Sequence, residues 1–181
     1  TTWRTDMAQM VNVAGVMGDS IVDGPGIRVA IFVQGCCHHC EGCHNPESWP
    51  FGAGTDMSVE ELYTMVKANP LCRGVTFSGG EPFCQAGALV PLAEKLKAAG
   101  YELASYSGYT FEQLLDGTPE QKALLRFLDI LVDGPFVLAQ RNLDLLFRGS
   151  ENQRILDVPK SLAAGRAVWC TAPRWVGEKR G

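Results

Sequence analysis

From Gly35 to Pro46 the chain reads GCCHHCEGCHNP, which sets Cys36, Cys40 and Cys43 at CxxxCxxC spacing with no nearby fourth cysteine completing the set. Thiolates are the ligands of iron–sulfur clusters, and an electron-carrying four-iron cluster uses four of them. Three thiolates would leave one iron open to a small molecule, which turns an electron carrier into a reaction site. The same segment also suits zinc, since His38, His39 and His44, all the histidines of the chain, lie inside it and zinc accepts either ligand. Against zinc, structural zinc sites draw ligands from two separated pairs that clamp two chain segments, whereas these candidates share one loop. Cys37 adds a second register, Cys37-x-x-Cys40-x-x-Cys43.

The elements needed to hold such a loop are legible around it. Ile27 to Val33 is β-branched and apolar, reads as a buried first strand, and delivers the chain into the cysteines. Ser58 and Glu61 form a capping box, with Leu62, Met65 and Val66 following at helical spacing to about Ala68. Strand Gly74 to Ser78, a Gly-Gly-Glu-Pro turn, a helix over Ala88 to Ala99 closed by Gly100, and strand Tyr101 to Tyr106 come next. Phe111 to Leu115 and Gln121 to Phe127 read as helices and Asp129 to Asp133 as a strand. Leu138 to Phe147 fits either type. Arg154 to Val158 reads as a late strand, Pro159 to Ala164 as a short helix and Arg166 to Trp169 as a last strand. This alternation predicts an α/β fold, a partial (β/α) barrel of about five or six βα units on a largely parallel sheet. In such folds ligands sit at the carboxyl ends of the strands. The turns at Cys36, Ser78 to Glu81, Tyr106 to Gly108 and Asp133-Gly134 all follow strands, so they are expected to converge on one face.

With 181 residues, 46% hydrophobic and 20% charged, the chain is expected to form a single domain over 1–181, with 1–12 and 170–181 peripheral. A net charge of −4 with interspersed signs offers no basic field for phosphate backbones or anionic lipid, so neither nucleic acid nor membrane is an expected partner. Thr1 to Ser20 lacks a basic start followed by an apolar run, and Met7 is a candidate native start; the expected location is cytoplasmic. Seven cysteines without a signal sequence point to a reducing compartment, where clustered thiols mean metal or redox chemistry. Cys37, Cys72, Cys84 and Cys170 read as small buried hydrophobes, with Cys37 as the exception to watch. Gly-Lys-Ser/Thr, His-Glu-x-x-His and Gly-x-Ser-x-Gly are absent, which removes phosphoryl and acyl transfer.

Asp23-Gly24-Pro25-Gly26-Ile27-Arg28, then Phe32, Gly35, the three spaced cysteines, Asn45 and Pro46, resemble the radical S-adenosylmethionine activases of glycyl-radical enzymes. Tyr106-Ser107-Gly108-Tyr109, Val132 to Phe136 and Gly149 to Ile155 are most similar to the members that act on anaerobic ribonucleoside-triphosphate reductase, and the likeness runs from about Val13 to Val158. The resemblance implies a radical SAM domain with a [4Fe-4S] cluster on Cys36, Cys40 and Cys43 and S-adenosyl-L-methionine chelated to the open iron. It further implies reductive cleavage to methionine and a 5′-deoxyadenosyl radical, a glycyl radical on the partner reductase, and a low-potential donor such as flavodoxin. No catalytic side chain beyond the cluster and S-adenosylmethionine is implied.

The resemblance also implies cofactor-binding roles. Ser78-Gly79-Gly80-Glu81 would take the methionine ammonium through exposed backbone and carboxylate, although such a turn is by itself an ordinary strand-to-helix connection. His44 takes the adenine-stacking position, Gly42 standing where relatives place an aromatic residue. Ser107 lies in a turn of the same face. Arg154 either pairs with the cofactor carboxylate or forms a surface salt bridge. Asp133 and Asp23 correspond to acidic positions that hold a monovalent cation in a formate-lyase activase, with Ser105 at the third. Arg28 is read as structural. The alternatives are an activase of another glycyl-radical enzyme such as pyruvate formate-lyase, disfavoured by the lack of a second cysteine cluster, and a non-enzymatic metal-binding module.

Overall fold

The computed structural model describes residues 10–43 and 46–177. Its seven strands are β1 (Met10–Ser20), β2 (Arg28–Val33), β3 (Thr55–Ser58), β4 (Gly74–Gly79), β5 (Glu102–Tyr106), β6 (Ile130–Asp133) and β7 (Arg154–Asp157), in the sheet order β3-β1-β2-β4-β5-β6-β7. The helices are α1 (Val59–Lys67), α2 (Ala86–Ala98), α3 (Phe111–Leu115), α4 (Pro119–Phe127), α5 (Val158–Ala164) and α6 (Pro173–Val176).

The four central strands, β2, β4, β5 and β6, run parallel. They are buried on both faces, which is why Val29–Val33 and Ile130–Val132 are continuous apolar runs rather than alternating ones. Both flanks are antiparallel: β1 pairs with β2 and β3 on one side and β7 with β6 on the other. The sheet is therefore parallel at its centre and mixed overall. Ile27 to Val33, read as the first strand, is the second; β1 precedes it. The glycines Gly15 and Gly18 and the shifts of register along β1 hide its alternation. The expected last strand over Arg166 to Trp169 is reduced to a single bridge between Leu156 and Trp169.

Local chemistry sets the helix ends. Ser58 Oγ accepts from the Glu61 amide at 3.0 Å and opens α1. Thr110 and Thr118 open α3 and α4 with reciprocal capping boxes to Gln113 and Gln121. The larger core lies where Val29, Ile31, Val75, Phe77, Leu103 and Leu131 meet Leu62, Leu89, Leu92, Leu96 and Leu124 of the helices. A smaller core on the sheet's other face joins Ala104, Ile130, Val132 and Ile155 to Cys170 and Trp175. Among the described residues no helix is long and apolar enough to cross a membrane.

Arg28 bears out its structural reading. Its side chain is 1% exposed; Nε donates to Thr76 Oγ1 at 3.0 Å, and Nη1 to Glu102 Oε1 at 2.9 Å and Pro25 O at 3.2 Å. The Trp175 ring covers the guanidinium at 5.2 Å, and Arg174 also pairs with Glu102. Burial pushes the Glu102 carboxyl up, but the Arg174 hydrogen bond and the Arg28 charge outweigh it and hold the group below its usual value. A carboxyl with a depressed folded value stabilises the fold above the unfolded value of about 4.3, and that contribution disappears as pH falls through the folded value. Urea midpoints measured from pH 7 to pH 3 are therefore expected to fall more steeply for the wild-type chain than for Glu102→Gln.

Candidate iron–sulfur site

β2 ends at Val33 and passes through Gln34 and Gly35 into the cysteines. The loop returns on itself, with Gly35 N donating to Ser48 O at 2.6 Å and Cys36 N to Trp49 O at 3.0 Å. Gln34 braces the return by donating to Glu47 O at 3.0 Å and Pro50 O at 2.7 Å. Inside the loop Cys43 N donates to Cys40 O at 3.1 Å.

The Gly-Gly-Glu turn after β4 lies directly against this loop. Gly80 N donates to Val33 O at 2.8 Å and Glu81 N to Gly35 O at 2.7 Å. Gly79 has φ +98°, and a Cβ on Gly80 would stand 2.3 Å from the Gly35 carbonyl oxygen. Only glycine permits that approach of two backbones. Gly80→Ala is accordingly expected to destabilise the chain by about 1–3 kcal/mol and to lower the iron retained after anaerobic loading, measured by urea unfolding and iron assay.

The converging turns enclose a cavity of about 120 Å³ lined by Cys36, Cys40 and Cys43 together with His38, Trp49, Gly79, Gly80, Tyr106, Ser107, Gly108, Gly134, Phe136 and Gln153. These residues come from the cysteine loop, the carboxyl ends of β4, β5 and β6, and the approach to β7, so the expected convergence holds. The donor set fits an iron–sulfur cluster, being three soft thiols on one wall facing glycine backbone. As they stand, the thiols line that wall without converging: no group of three His, Cys, Asp or Glu among the described residues is drawn together as a ligand set. Burial pushes the Cys36 thiol up, partly offset by the backbone N–H groups of His38 and His39. Two histidines of the zinc reading are committed elsewhere. His38 Nε2 lies 2.6 Å from Glu81 Oε1, and His39 stacks on Trp49 at 4.5 Å.

Other sequence-derived candidates fall in different places. His44 lies outside the described residues. Ser78 stands at the end of β4, beside Phe32 of β2 and short of the cavity lining. Glu81, expected to expose its carboxylate, is 0% exposed and held by protein donors. Ser107 reaches the cavity while donating to Glu81 at 2.9 Å. Ser105 is buried and donates to Tyr106 O at 3.0 Å.

Asp133, 1% exposed, accepts from Phe111 N at 2.7 Å and from Arg154 Nη2 at 2.5 Å. Arg154 also reaches Glu112 Oε2 at 2.7 Å, which holds the Glu112 carboxyl below its usual range. Arg154 therefore takes the ion-pair alternative, anchoring β7 to β6 and α3, while Asp23 pairs with Ser20. Cys37 is exposed and its sulfur contacts Cys84 Sγ at 3.9 Å and Tyr109 OH at 3.3 Å, away from the cavity lining. Burial and the neighbouring Cys37 push the Cys84 thiol up to about 12. Sequence reasoning missed His38 as a structural partner of the Gly-Gly-Glu turn. The available signal was its place midway between Cys36 and Cys40, which the zinc reading absorbed.

The model of a 4Fe-4S single cluster domain matches residues 22–156, from the loop before β2 to the end of β7. The anaerobic ribonucleoside-triphosphate reductase-activating protein of Haemophilus influenzae is 34% identical over 143 residues, covering 75% of this chain and 90% of the relative. The protein of that name from Vibrio cholerae is 36% identical over 143 residues with the same coverage. That of Enterobacteria phage T4 is 34% identical over 143 residues, covering 74% of this chain and 86% of the relative. The 4Fe-4S model spans the parallel centre and the turns that form the cavity, and with relatives above 30% identity over three quarters of its length the chain belongs to the family of anaerobic ribonucleoside-triphosphate reductase-activating proteins.

Proposed function

We propose that this chain is a radical S-adenosylmethionine activase that generates a glycyl radical on anaerobic ribonucleoside-triphosphate reductase, with a [4Fe-4S] cluster held by Cys36, Cys40 and Cys43. The observation that carries this reading is the placing of three thiols of one loop and the Gly79–Gly80 backbone on the same cavity. A cluster held by Cys36, Cys40 and Cys43 would supply the one-electron reduction that cleaves S-adenosylmethionine to methionine and a 5′-deoxyadenosyl radical, the hydrogen-abstracting species for the partner's glycine.

The chain's own residues supply placement and shelter. The cysteine loop presents its thiols at the strand ends, braced by Gln34 and the Gly35–Trp49 backbone pairing. Gly79 and Gly80 line the cavity and let the turn that carries them pack directly on the backbone of Val33 and Gly35. Tyr106 and Phe136 provide apolar wall that excludes water from a reactive centre. We read the parallel centre and its helical cover as an incomplete barrel of radical S-adenosylmethionine type, and the electron donor as a low-potential protein such as flavodoxin in the cytoplasm.

The test is anaerobic: load the chain with iron and sulfide, add S-adenosylmethionine and a strong reductant, and quantify 5′-deoxyadenosine and methionine with and without the reductase. Equal amounts of both, and a glycyl-radical signal when reductase is present, are the expected result. An intact, reducible cluster yielding neither product in the presence of reductase would overturn the reading, as would a chain that binds zinc and builds no cluster.

A further inference from the structure

The carboxylate of Glu81 joins three separate turns. Oε1 receives His38 Nε2 at 2.6 Å, Ser107 Oγ at 2.9 Å and Gly108 N at 2.7 Å; Oε2 receives Ser107 Oγ at 3.0 Å and Phe83 N at 3.0 Å. A carboxylate offers about four lone-pair sites, and this one is wholly buried, so its capacity is met by donors from the chain itself. An ammonium group could reach it only by displacing them. His38 stands between Cys36 and Cys40, and its ring is further held edge-on by Tyr109 at 4.6 Å. Gly108 makes room for it: a Cβ there would stand 2.5 Å from His38 Cδ2.

We propose that His38 and Glu81 form a latch fixing the middle of the cysteine loop against the Gly79–Gly80 and Ser107–Gly108 turns, so that the carboxylate holds the loops together and is not free to receive the ammonium of S-adenosylmethionine. This rests on the reading of the site given above. His38 is thereby a positioning residue. It touches no reacting atom, and it sets the spacing between the wall that carries the thiols and the wall that receives the ligand's polar end. Every cysteine is intact in a latch variant, so cluster loading and ligand affinity separate.

The experiment compares wild type, His38→Ala, His38→Gln and Glu81→Gln after anaerobic loading, reading iron per chain, S-adenosylmethionine affinity by equilibrium dialysis and the ligand-induced change in the reduced cluster's paramagnetic spectrum. His38→Ala is expected to hold wild-type iron while its dissociation constant rises about tenfold, equivalent to about 1.4 kcal/mol. His38→Gln, whose amide nitrogen can donate where Nε2 does, is expected to restore most of the affinity and the spectral change. Wild-type affinity in His38→Ala overturns the latch, and equal loss in the Ala and Gln variants overturns the hydrogen bond as its basis. Loss in Glu81→Gln with full binding in His38→Ala would return the carboxylate to the ammonium. If wild type itself binds no S-adenosylmethionine, the functional reading fails. The latch is then judged on the unloaded chain by hydrogen exchange of the amides from 36 to 43, where His38→Ala loses protection that His38→Gln keeps if the latch holds, and retained protection in His38→Ala overturns it.

Discussion

Exchanging Cys36, Cys40 or Cys43 singly for alanine is expected to leave a folded chain that retains no complete cluster and forms no 5′-deoxyadenosine. Each removes one of the three thiols that line the cavity, and a cluster left with two of them loses a corner ligand. Folding should survive, because the loop is held by backbone bonds of Gly35 and Cys36 and by Gln34, none of which needs a thiol. Cys37→Ala is the internal control. Its sulfur contacts Cys84 and Tyr109, so that variant is expected to keep its iron and most of its cleavage activity. Iron and acid-labile sulfide per chain, with product formation alongside, check all four variants. A dead Cys37→Ala beside an active Cys36→Ala would move the ligand register by one residue.

Trp175→Ala carries the second large effect, a loss of about 3–5 kcal/mol of stability, read from urea unfolding. The ring is fully buried in the smaller core, meets Phe147 edge-on at 5.3 Å and covers the Arg28 guanidinium. Removing it opens a cavity and also wets a charge that the fold keeps dry, adding a lost cation–π contact of about 0.5–2 kcal/mol that overlaps with the first figure. The indole nitrogen is buried without a hydrogen-bond partner among the described residues, so the ring acts by packing and not by donation. Trp175→Phe is therefore expected to cost well under half as much. Unchanged urea midpoints for Trp175→Ala would show that α6 is no part of the core. Because Arg28 opens the strand whose far end delivers Cys36, iron loading in Trp175→Ala should fall only in proportion to the unfolded fraction.

What could be read along the chain depended on how local the physics was. The cysteine loop is one uninterrupted segment, and thiol spacing is a property of the segment itself, so Cys36, Cys40 and Cys43 stand out as candidate ligands from the sequence alone. The same holds for the buried central strands, whose apolar runs record burial on both faces, and for the helix opened by Ser58. β1 was missed because a strand interrupted by glycines and register shifts leaves little periodicity. With it went the antiparallel flanks, since strand direction is decided by which neighbour a strand meets.

Residue type pointed to polar roles for Glu81, Asp133 and Arg154, but it could not say which partner each would find. A carboxylate after two glycines reads the same whether it faces a ligand or turns inward to His38, Ser107 and Gly108. Arg154 reads the same whether free or shared between Asp133 and Glu112. Those choices are made between residues 21 to 43 positions apart, at distances set by how the sheet stacks its strand ends. By itself, then, the sequence determined the spacing of the clustered thiols, the turns beside them and most of the alternating elements that carry them, because each is encoded within a few neighbouring residues. The tertiary structure alone decided which charges remain available to a ligand and which are spent holding the loops in place, because pairing and burial arise only when distant segments meet.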